Sequence, residues 1–109
     1  MSLQVKFTDT AKEDLRNIAA YIADQSKDKT IAISLVNELR EKVKILELFP
    51  ESGAIPDDRM MKNLEYRFLV HKDYLIFYHY APKDETSYIL AVFNARRDYS
   101  RVMRKFIKK

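Results

Sequence analysis

The chain has 109 residues, of which 47% are hydrophobic and only one is glycine, and this predicts a single globular domain over residues 1–109. It contains no cysteine, so disulfides and cysteine nucleophiles are excluded and a reducing, cytoplasmic location is expected. One glycine excludes glycine-rich phosphate loops, and two histidines argue against a catalytic zinc site, so we expect neither cofactor nor metal. No apolar run has the length of a membrane span, so no membrane partner is expected.

The formal net charge of +4 is concentrated at the C-terminal end of the chain. From Arg96 onward the sequence has seven Lys or Arg and one acidic residue, a local balance of +6 that leaves −2 for residues 1–95. Such a cationic end predicts an anionic partner held there, although a solvated cationic tail gives the same pattern.

A strand and then a helix are predicted at the N-terminal end. Residues 3–7 alternate between apolar and polar, which is the pattern of a half-buried strand. Residues 8–10 contain N-cap candidates, and Glu13 stands three positions after Thr10 as its capping-box partner. Apolar residues at helical spacing extend this first helix to about Gln25.

A second helix is predicted after a polar turn at residues 26–29. Its apolar stripe begins at Ala32 and ends near Leu48, just before Pro50. Because the turn is so short, the two helices are expected to form an antiparallel hairpin. Residues 54–63 are predicted to form a loop.

Three strands are predicted in the remainder, at residues 64–71, 74–80 and 87–93. The alternation in the first of them points four residues to one face, namely Leu64, Tyr66, Phe68 and Val70. Short turns between these strands imply an antiparallel meander. The predicted fold class is α+β with the order β-α-α-β-β-β and a short basic helix or tail. In this fold the helical hairpin packs on one face of a mainly antiparallel four-stranded sheet.

Several short motifs follow one another along these predicted elements. They are residues 7–11, Asp14, Leu15, Ile18, Tyr21, Ile22, Phe49, Pro50, Gly53, Tyr66, Arg67, residues 74–78 and residues 96–99. In this order and spacing they resemble the RelE/ParE superfamily of bacterial toxins over essentially the whole chain. The resemblance implies the toxin of a type II toxin–antitoxin (plasmid stabilisation, or addiction) module. Such a toxin arrests growth until a co-expressed antitoxin neutralises it.

Members of this superfamily arrest growth by two routes. RelE-like toxins are mRNA interferases that cut messenger RNA in the ribosomal A site without a metal, whereas ParE-like toxins inhibit DNA gyrase. The same fold carries both activities, so only the residues of the site can distinguish them.

The match to a RelE-like nuclease is incomplete. Metal-free RNA cleavage needs a base, an acid and cations that stabilise the developing negative charge. The resemblance implies lysines on the second strand, an arginine on the third, and an arginine and a tyrosine in the C-terminal segment. Here Arg67 is the single cation on the second strand, Leu75 replaces the arginine, and Arg97 matches. Met103 takes the position of the tyrosine and transfers no proton at neutral pH, while Tyr99 is a substitute if the segment is helical.

The ParE-like branch fits the substitutions better. It commonly has an arginine on the second strand, a Tyr-x-Ile-Phe-Tyr third strand and an Arg-Asp pair after the fourth. Arg67, residues 74–78 and the Arg97–Asp98 pair match these features. Asp98 is expected to pair with a neighbouring arginine and so to fix the direction of the tail.

The candidate site residues follow from these matches. The predicted partner-binding or nucleic-acid-binding residues are Arg67, Arg96, Arg97, Tyr99, Arg101, Arg104 and Lys105. The catalytic candidates, if the protein is a nuclease, are Arg67, Arg96, Arg97 and Tyr99. Both histidines, His71 and His79, belong to the residue type that most often acts as a general base, but they are interpreted as structural. Four aromatic residues are interpreted as core packing, namely Tyr66, Phe68, Phe77 and Tyr78.

Three functions are therefore open. A ParE-like toxin acting on DNA gyrase is favoured over a ribosome-dependent, metal-independent mRNA endoribonuclease and over a basic RNA-binding module without toxicity. For either toxin, the expected partner besides the target is a cognate antitoxin. We expect an amphipathic segment of that antitoxin to lie against the helical hairpin or the sheet, near the cationic tail.

Overall fold

A computed structural model describes residues 3–98 of the protein. The elements in chain order are β1 (Gln4–Phe7), α1 (Asp9–Ser26), α2 (Lys29–Lys42), a 3₁₀ helix (Val43–Glu47), α3 (Arg59–Asn63), β2 (Tyr66–His71), β3 (Tyr74–Ala81), a 3₁₀ turn (Pro82–Asp84) and β4 (Thr86–Asn94). The predicted α+β class and the predicted order of the long elements are confirmed.

The four strands form one sheet in the order β1-β4-β3-β2. The β2–β3 and β3–β4 pairs are antiparallel, as the short turns predicted, and β1 joins the far edge parallel to β4. The long crossover that a parallel pair needs is supplied by the helices and by β2 and β3. The central position of β4 brings its C-terminal end, where the basic segment begins, beside the helical hairpin.

The N-terminus of α1 is capped by Thr8, not by a Thr10–Glu13 capping box. The Thr8 hydroxyl accepts a hydrogen bond from the Ala11 amide at 3.2 Å and donates one to the Ile89 carbonyl at 2.8 Å. The capping box was wrong because the helix begins at Asp9, two residues earlier than a Thr10 cap requires. Thr8 therefore both starts the helix and attaches it to the central strand β4.

Helix α1 also supplies a hydrogen-bond acceptor to the part of the β4 edge that β1 leaves unpaired. Pairing between β1 and β4 ends at Ile89, beyond which β1 offers no partner to β4. The Asp14 carboxylate on α1 accepts a hydrogen bond from the Val92 amide at 3.0 Å. A buried backbone N–H that would otherwise lack an acceptor is thereby satisfied.

The second helix is shorter than predicted. It ends as an α-helix at Lys42 and continues as a 3₁₀ helix to Glu47, whose carbonyl accepts a hydrogen bond from the Leu3 amide at 3.0 Å. Val43 and Leu46 remain buried on one face because their spacing of three residues matches the 3₁₀ period. The apolar stripe therefore continues through the change of helix type.

The predicted loop at 54–63 contains a short helix, α3, that periodicity did not indicate. The Asp58 side chain caps it by accepting a hydrogen bond from the Met61 amide at 3.0 Å, and Met61 is fully buried. A five-residue helix is too short to show an apolar stripe. Strand β2 begins at Tyr66 and not at residue 64, because Leu64 ends α3 and Glu65 has a φ of 60°.

Hydrophobic side chains are buried on both faces of the sheet. The buried residues of the main cluster, on the helix side, are Ala11, Leu15, Ile18, Leu39, Val43, Leu46, Leu69, Tyr74, Ile76, Tyr78, Ile89 and Val92. The second cluster contains Met61, Phe77, Ala91 and Phe93, with Tyr66, Phe68 and Leu75 packed against it. The predicted shared face of Tyr66 and Phe68 is confirmed, whereas Val70 is 50% exposed. The predicted core positions Phe77 and Tyr78 are buried.

Candidate functional site

The loop after the second helix is held against the sheet by a buried tyrosine. The Tyr78 hydroxyl donates a hydrogen bond to the Pro50 carbonyl at 2.7 Å and accepts one from the Gly53 amide at 3.0 Å. Burial is the main cause that raises the pKa of Tyr78, so the phenol stays a neutral donor. A Cβ at Gly53 would lie 2.6 Å from Tyr78 Cε1 and 2.9 Å from the Phe68 carbonyl oxygen, which explains why glycine stands there.

Arg67 holds the same loop from β2. Its Nη1 donates hydrogen bonds to the Glu51 carbonyl at 3.2 Å and the Gly53 carbonyl at 3.0 Å. Ala54 next to the loop forms an antiparallel bridge to Phe68. This predicted anion-binding arginine is therefore also a structural residue that fixes the loop.

Arg96 and Arg97 lie at the opposite end of β3, on a turn that Asn94 organises. The Asn94 Oδ1 accepts hydrogen bonds from the backbone amides of Arg96, at 3.0 Å, and Arg97, at 2.8 Å. The Ala95 amide donates to the Asp73 carbonyl at 2.7 Å, which ties this turn to the β2–β3 hairpin. Asn94 is the last residue of the apolar strand β4, and asparagine is a usual turn former.

The two neighbouring arginines of this turn have different surroundings. The Arg97 guanidinium carbon lies 3.8 Å from the centroid of the Tyr21 ring on α1, and Nη2 is 3.2 Å from an Asp98 carboxylate oxygen. Burial opposes the charge of Arg97, but the Asp98 and Tyr21 contacts outweigh it and raise the pKa. Arg96 is 85% exposed and approaches only Asp73, at 3.6 Å, among the ion pairs within residues 3–98. The expected pairing of Asp98 with an arginine is present.

A groove of about 800 Å³ lies in front of Arg97, and we call it the Arg97 groove. Its apolar lining residues are Tyr21, Ile22, Ile31, Leu35 and Tyr74. Its charged lining residues are Asp28, Glu38, Lys72, Asp73, Arg96 and Arg97. An apolar groove with charges of both signs is suited to an amphipathic peptide segment.

Glu38, on the helix side of this groove, joins α2 to the β2–β3 hairpin. Its carboxylate oxygen lies 2.7 Å from His71 Nε2 and 3.0 Å from Lys72 Nζ. The hydrogen bonds with His71 and then with Lys72 hold the pKa of Glu38 below its ordinary value. His71, which was interpreted as structural, is thus engaged in a contact between layers.

The predicted site residues do not form one cluster. Arg67 pairs with Tyr78 across β2 and β3, whereas Asn94 pairs with Tyr74, four residues away along β3 and about 13 Å distant. Arg96 and Arg97 lie together, and Arg67 lies apart from them. The other predicted residues fall outside the described part of the chain, namely Tyr99, Arg101, Arg104 and Lys105, as does Met103.

Arg67 instead lines a second groove, of about 440 Å³, which we call the His79 groove. It is also lined by Glu51, Ile55, Lys62, Glu65, Tyr66, His79, Tyr80 and Pro82. The His79 Nδ1 is buried and has no hydrogen-bond partner within residues 3–98.

Sequence reasoning missed Tyr21 and Asn94 as residues of the Arg97 groove, and Tyr78 as the residue that holds the loop. Tyr21 was noted as a family landmark, but nothing local shows that it meets Arg97. Leu75, at the position where a nuclease would have arginine, packs against the second cluster.

No helix within residues 3–98 is long and apolar enough to cross a membrane. The same residues contain no group of three His, Asp or Glu side chains arranged to hold a metal.

The fold resembles solved toxin structures. A chain of the chromosomal ParDE toxin–antitoxin system from P. aeruginosa is 18% identical with a TM-score of 0.70, over 85% of this chain and 96% of that one. A chain of the RelBE2 toxin–antitoxin complex from Mycobacterium tuberculosis is 20% identical with a TM-score of 0.58, over 86% of this chain and 92% of that one. A mutant RelE toxin from E. coli is 12% identical with a TM-score of 0.60, over 98% of this chain and 100% of that one. At these identities the likeness concerns the fold alone.

The sequence itself identifies the family. No curated protein matches the chain significantly. The sequence model of a family described as the ParE toxin of the type II toxin-antitoxin system, parDE, matches residues 5–99, which is most of the chain. The protein therefore belongs to the ParE toxin family, within the RelE/ParE superfamily of toxins.

Proposed function

We propose that the protein arrests growth by inhibiting DNA gyrase, that a cognate antitoxin neutralises it, and that the pair works in the cytoplasm as a plasmid-stabilisation module. The observation that carries the choice of gyrase over messenger RNA is the position of Leu75. An apolar side chain packed in the second cluster stands where a RelE-like nuclease would place a cation. Because Leu75 carries no charge, the described part of the site lacks one cation that would stabilise the transition state of RNA cleavage.

The placement of the arginines supports the same choice. Arg67 Nη1 donates hydrogen bonds to two loop carbonyls. Arg97 is held against Tyr21 and Asp98 on the helix side. The two cations are also separated along the sheet. A metal-free nuclease needs its cations converging on one phosphate, whereas a partner-binding surface does not.

The test of the target uses purified protein in two assays. We expect inhibition of gyrase supercoiling, with accumulation of cleaved DNA, and intact message in a translating ribosome assay read by primer extension. Arg97→Ala is expected to weaken gyrase inhibition more than Arg96→Ala does, because Arg97 is the arginine held in a fixed geometry. Codon-specific cuts in the message, with gyrase unaffected, would establish the endoribonuclease instead. Salt-dependent RNA binding without growth arrest would establish the non-toxic RNA-binding module.

We propose the Arg97 groove as the surface that receives the antitoxin segment. The ParDE structure from P. aeruginosa is described as a toxin–antitoxin system, which supports a partner of this kind. Ile31 lines the groove and is 50% exposed, whereas Ile33 on the same helix is 61% exposed and is not among the lining residues. The two isoleucines therefore form a matched pair for mutation.

Co-expression with the neighbouring open reading frame tests this surface. Expression of the chain alone is expected to arrest growth, and the neighbour is expected to rescue it. Ile31→Lys should abolish rescue while arrest persists, because the lysine charge would be buried beneath an apolar segment. Ile33→Lys should leave rescue unchanged. Equal rescue of the two variants would place the antitoxin elsewhere.

A further inference from the structure

We propose that the His79 groove binds a nucleoside monophosphate, with the base against the aromatic side chains of Tyr66, His79 and Tyr80 and the phosphate at Lys62 and Arg67. The groove is separate from the Arg97 groove, and none of these five residues lines both. Its volume of about 440 Å³ lies in the range of small-molecule sites. The inference concerns a second binding site and does not depend on the cellular target of the toxin.

The cationic side of the groove is arranged for an anion. Arg67 has five N–H donors, and the two loop carbonyls engage only those of Nη1, which leaves Nε and Nη2 for a ligand. These carbonyls also fix the guanidinium, so little side-chain entropy is lost when an anion binds. Neither Lys62 nor Arg67 has a carboxylate within 4.0 Å in the described part of the chain.

The aromatic side of the groove is suited to a planar ring. Tyr66 and His79 lie edge to face, with centroids 6.2 Å apart, and Tyr80 follows on β3 beyond the last residue paired with β2. Aromatic side chains bind nucleobases by stacking, and this interaction tolerates any base.

The carboxylates determine which phosphate compound fits. Glu51 and Glu65 line the groove together with Lys62 and Arg67, so its formal charge balances. Such a groove has cations for one phosphate but none for the successive phosphates of a nucleic-acid strand. The carboxylates accept hydrogen bonds only, and a base with an exocyclic amino group or a ribose hydroxyl supplies the donors. A mononucleotide such as AMP therefore matches the groove better than a strand, and better than UMP, whose base has no amino group.

The experiment is a titration of the full-length protein with AMP, UMP, adenosine, inorganic phosphate and a single-stranded oligoadenylate, measured by calorimetry and by NMR chemical shifts. We expect AMP to bind at least about tenfold more tightly than phosphate or adenosine, because each lacks half of the contacts. Shifts should appear at Tyr66, His79 and Tyr80. Phosphate binding as tight as AMP, or oligoadenylate binding more than about tenfold tighter, would refute the proposal.

Variants locate the site. Lys62→Ala and Tyr80→Ala should each weaken AMP binding about tenfold, through loss of a charge-assisted contact and of stacking respectively. Arg96→Ala removes an exposed arginine from the other groove and should leave the affinity unchanged. Lys62 is exposed, so its variant should unfold at the wild-type temperature. Unchanged AMP affinity in Lys62→Ala would overturn the assignment, whether or not the protein inhibits gyrase.

Discussion

Removal of the Tyr78 hydroxyl tests the attachment of the loop at residues 50–54 to the sheet. Tyr78→Phe keeps the ring, which is fully buried, and deletes one oxygen. That oxygen donates to the Pro50 carbonyl and accepts from the Gly53 amide. Gly53 is itself buried, so the variant leaves its N–H without an acceptor.

The expected cost follows from these contacts. Two hydrogen bonds contribute about 1 kcal/mol each, and an unpaired buried donor brings the total to about 2–3 kcal/mol. For a domain of this length, such a loss lowers the midpoint of thermal unfolding by about 10 °C. Urea unfolding should show a lower midpoint at unchanged slope, because the native compactness is kept.

Tyr88→Phe is the matched control. The Tyr88 hydroxyl donates to an Asp84 carboxylate oxygen at 2.8 Å, but this bond is exposed to solvent. Its loss should therefore cost less than about 0.5 kcal/mol. Equal costs for the two variants, or a Tyr78→Phe cost below about 0.5 kcal/mol, would refute the role of the loop contacts.

The pH dependence gives an independent check on Tyr78. Burial raises its pKa above the ordinary 10.0, so the neutral phenol is favoured in the folded state. Both states hold the proton below pH 10, and the stabilisation is complete there. It is lost as the pH rises from 10 through the raised pKa. The stability difference between wild type and Tyr78→Phe should therefore shrink only above about pH 10.

Three further perturbations have defined outcomes. Gly53→Ala places a methyl group 2.6 Å from the Tyr78 ring and should cost about 1–3 kcal/mol in urea unfolding, and a neutral result would contradict the close approach. Asp14→Ala leaves the Val92 amide unpaired and should cost about 1–3 kcal/mol, whereas Asp14→Asn retains an acceptor and should cost less. The pKa of Glu38 is lowered, so its contribution is present above about pH 4.5 and is lost below it. Glu38→Gln should flatten this part of the stability–pH curve, and an unchanged curve would show that the ion pairs contribute nothing.

The long elements of the fold were predictable because each buries a continuous face. The stripe from Ala11 to Ile22 specifies a helix, and the alternation from Tyr66 to Leu69 specifies a strand, without any distant partner. The short helix Arg59–Asn63 buries mainly Met61, and one buried residue gives no period. The order β1-β4-β3-β2 was not predictable, because local patterns do not specify which strand joins the parallel edge.

The site was less predictable than the fold for the same reason. Arg67 and Arg97 look equivalent in sequence, as cations that follow or lie on strands. Their roles differ because each contacts residues that are distant in sequence. Arg67 donates hydrogen bonds to the carbonyls of a loop, whereas the Arg97 guanidinium lies over an aromatic ring on α1. Tyr21 could be identified as a landmark but not as the partner of Arg97, because no local pattern records that contact.

The contact between Tyr21 and Arg97 connects the two surfaces that a toxin of this family must provide. Tyr21 and Arg97 both line the Arg97 groove, so an antitoxin segment seated there would cover the arginine that we propose to act on the target. Neutralisation would then follow from direct occupation of the site, without a conformational change. Tyr21→Leu should keep the apolar lining but release the guanidinium from its ring. We therefore expect gyrase inhibition to weaken while antitoxin rescue persists. Loss of rescue with gyrase inhibition unchanged would show that Tyr21 serves the antitoxin surface and not the target surface.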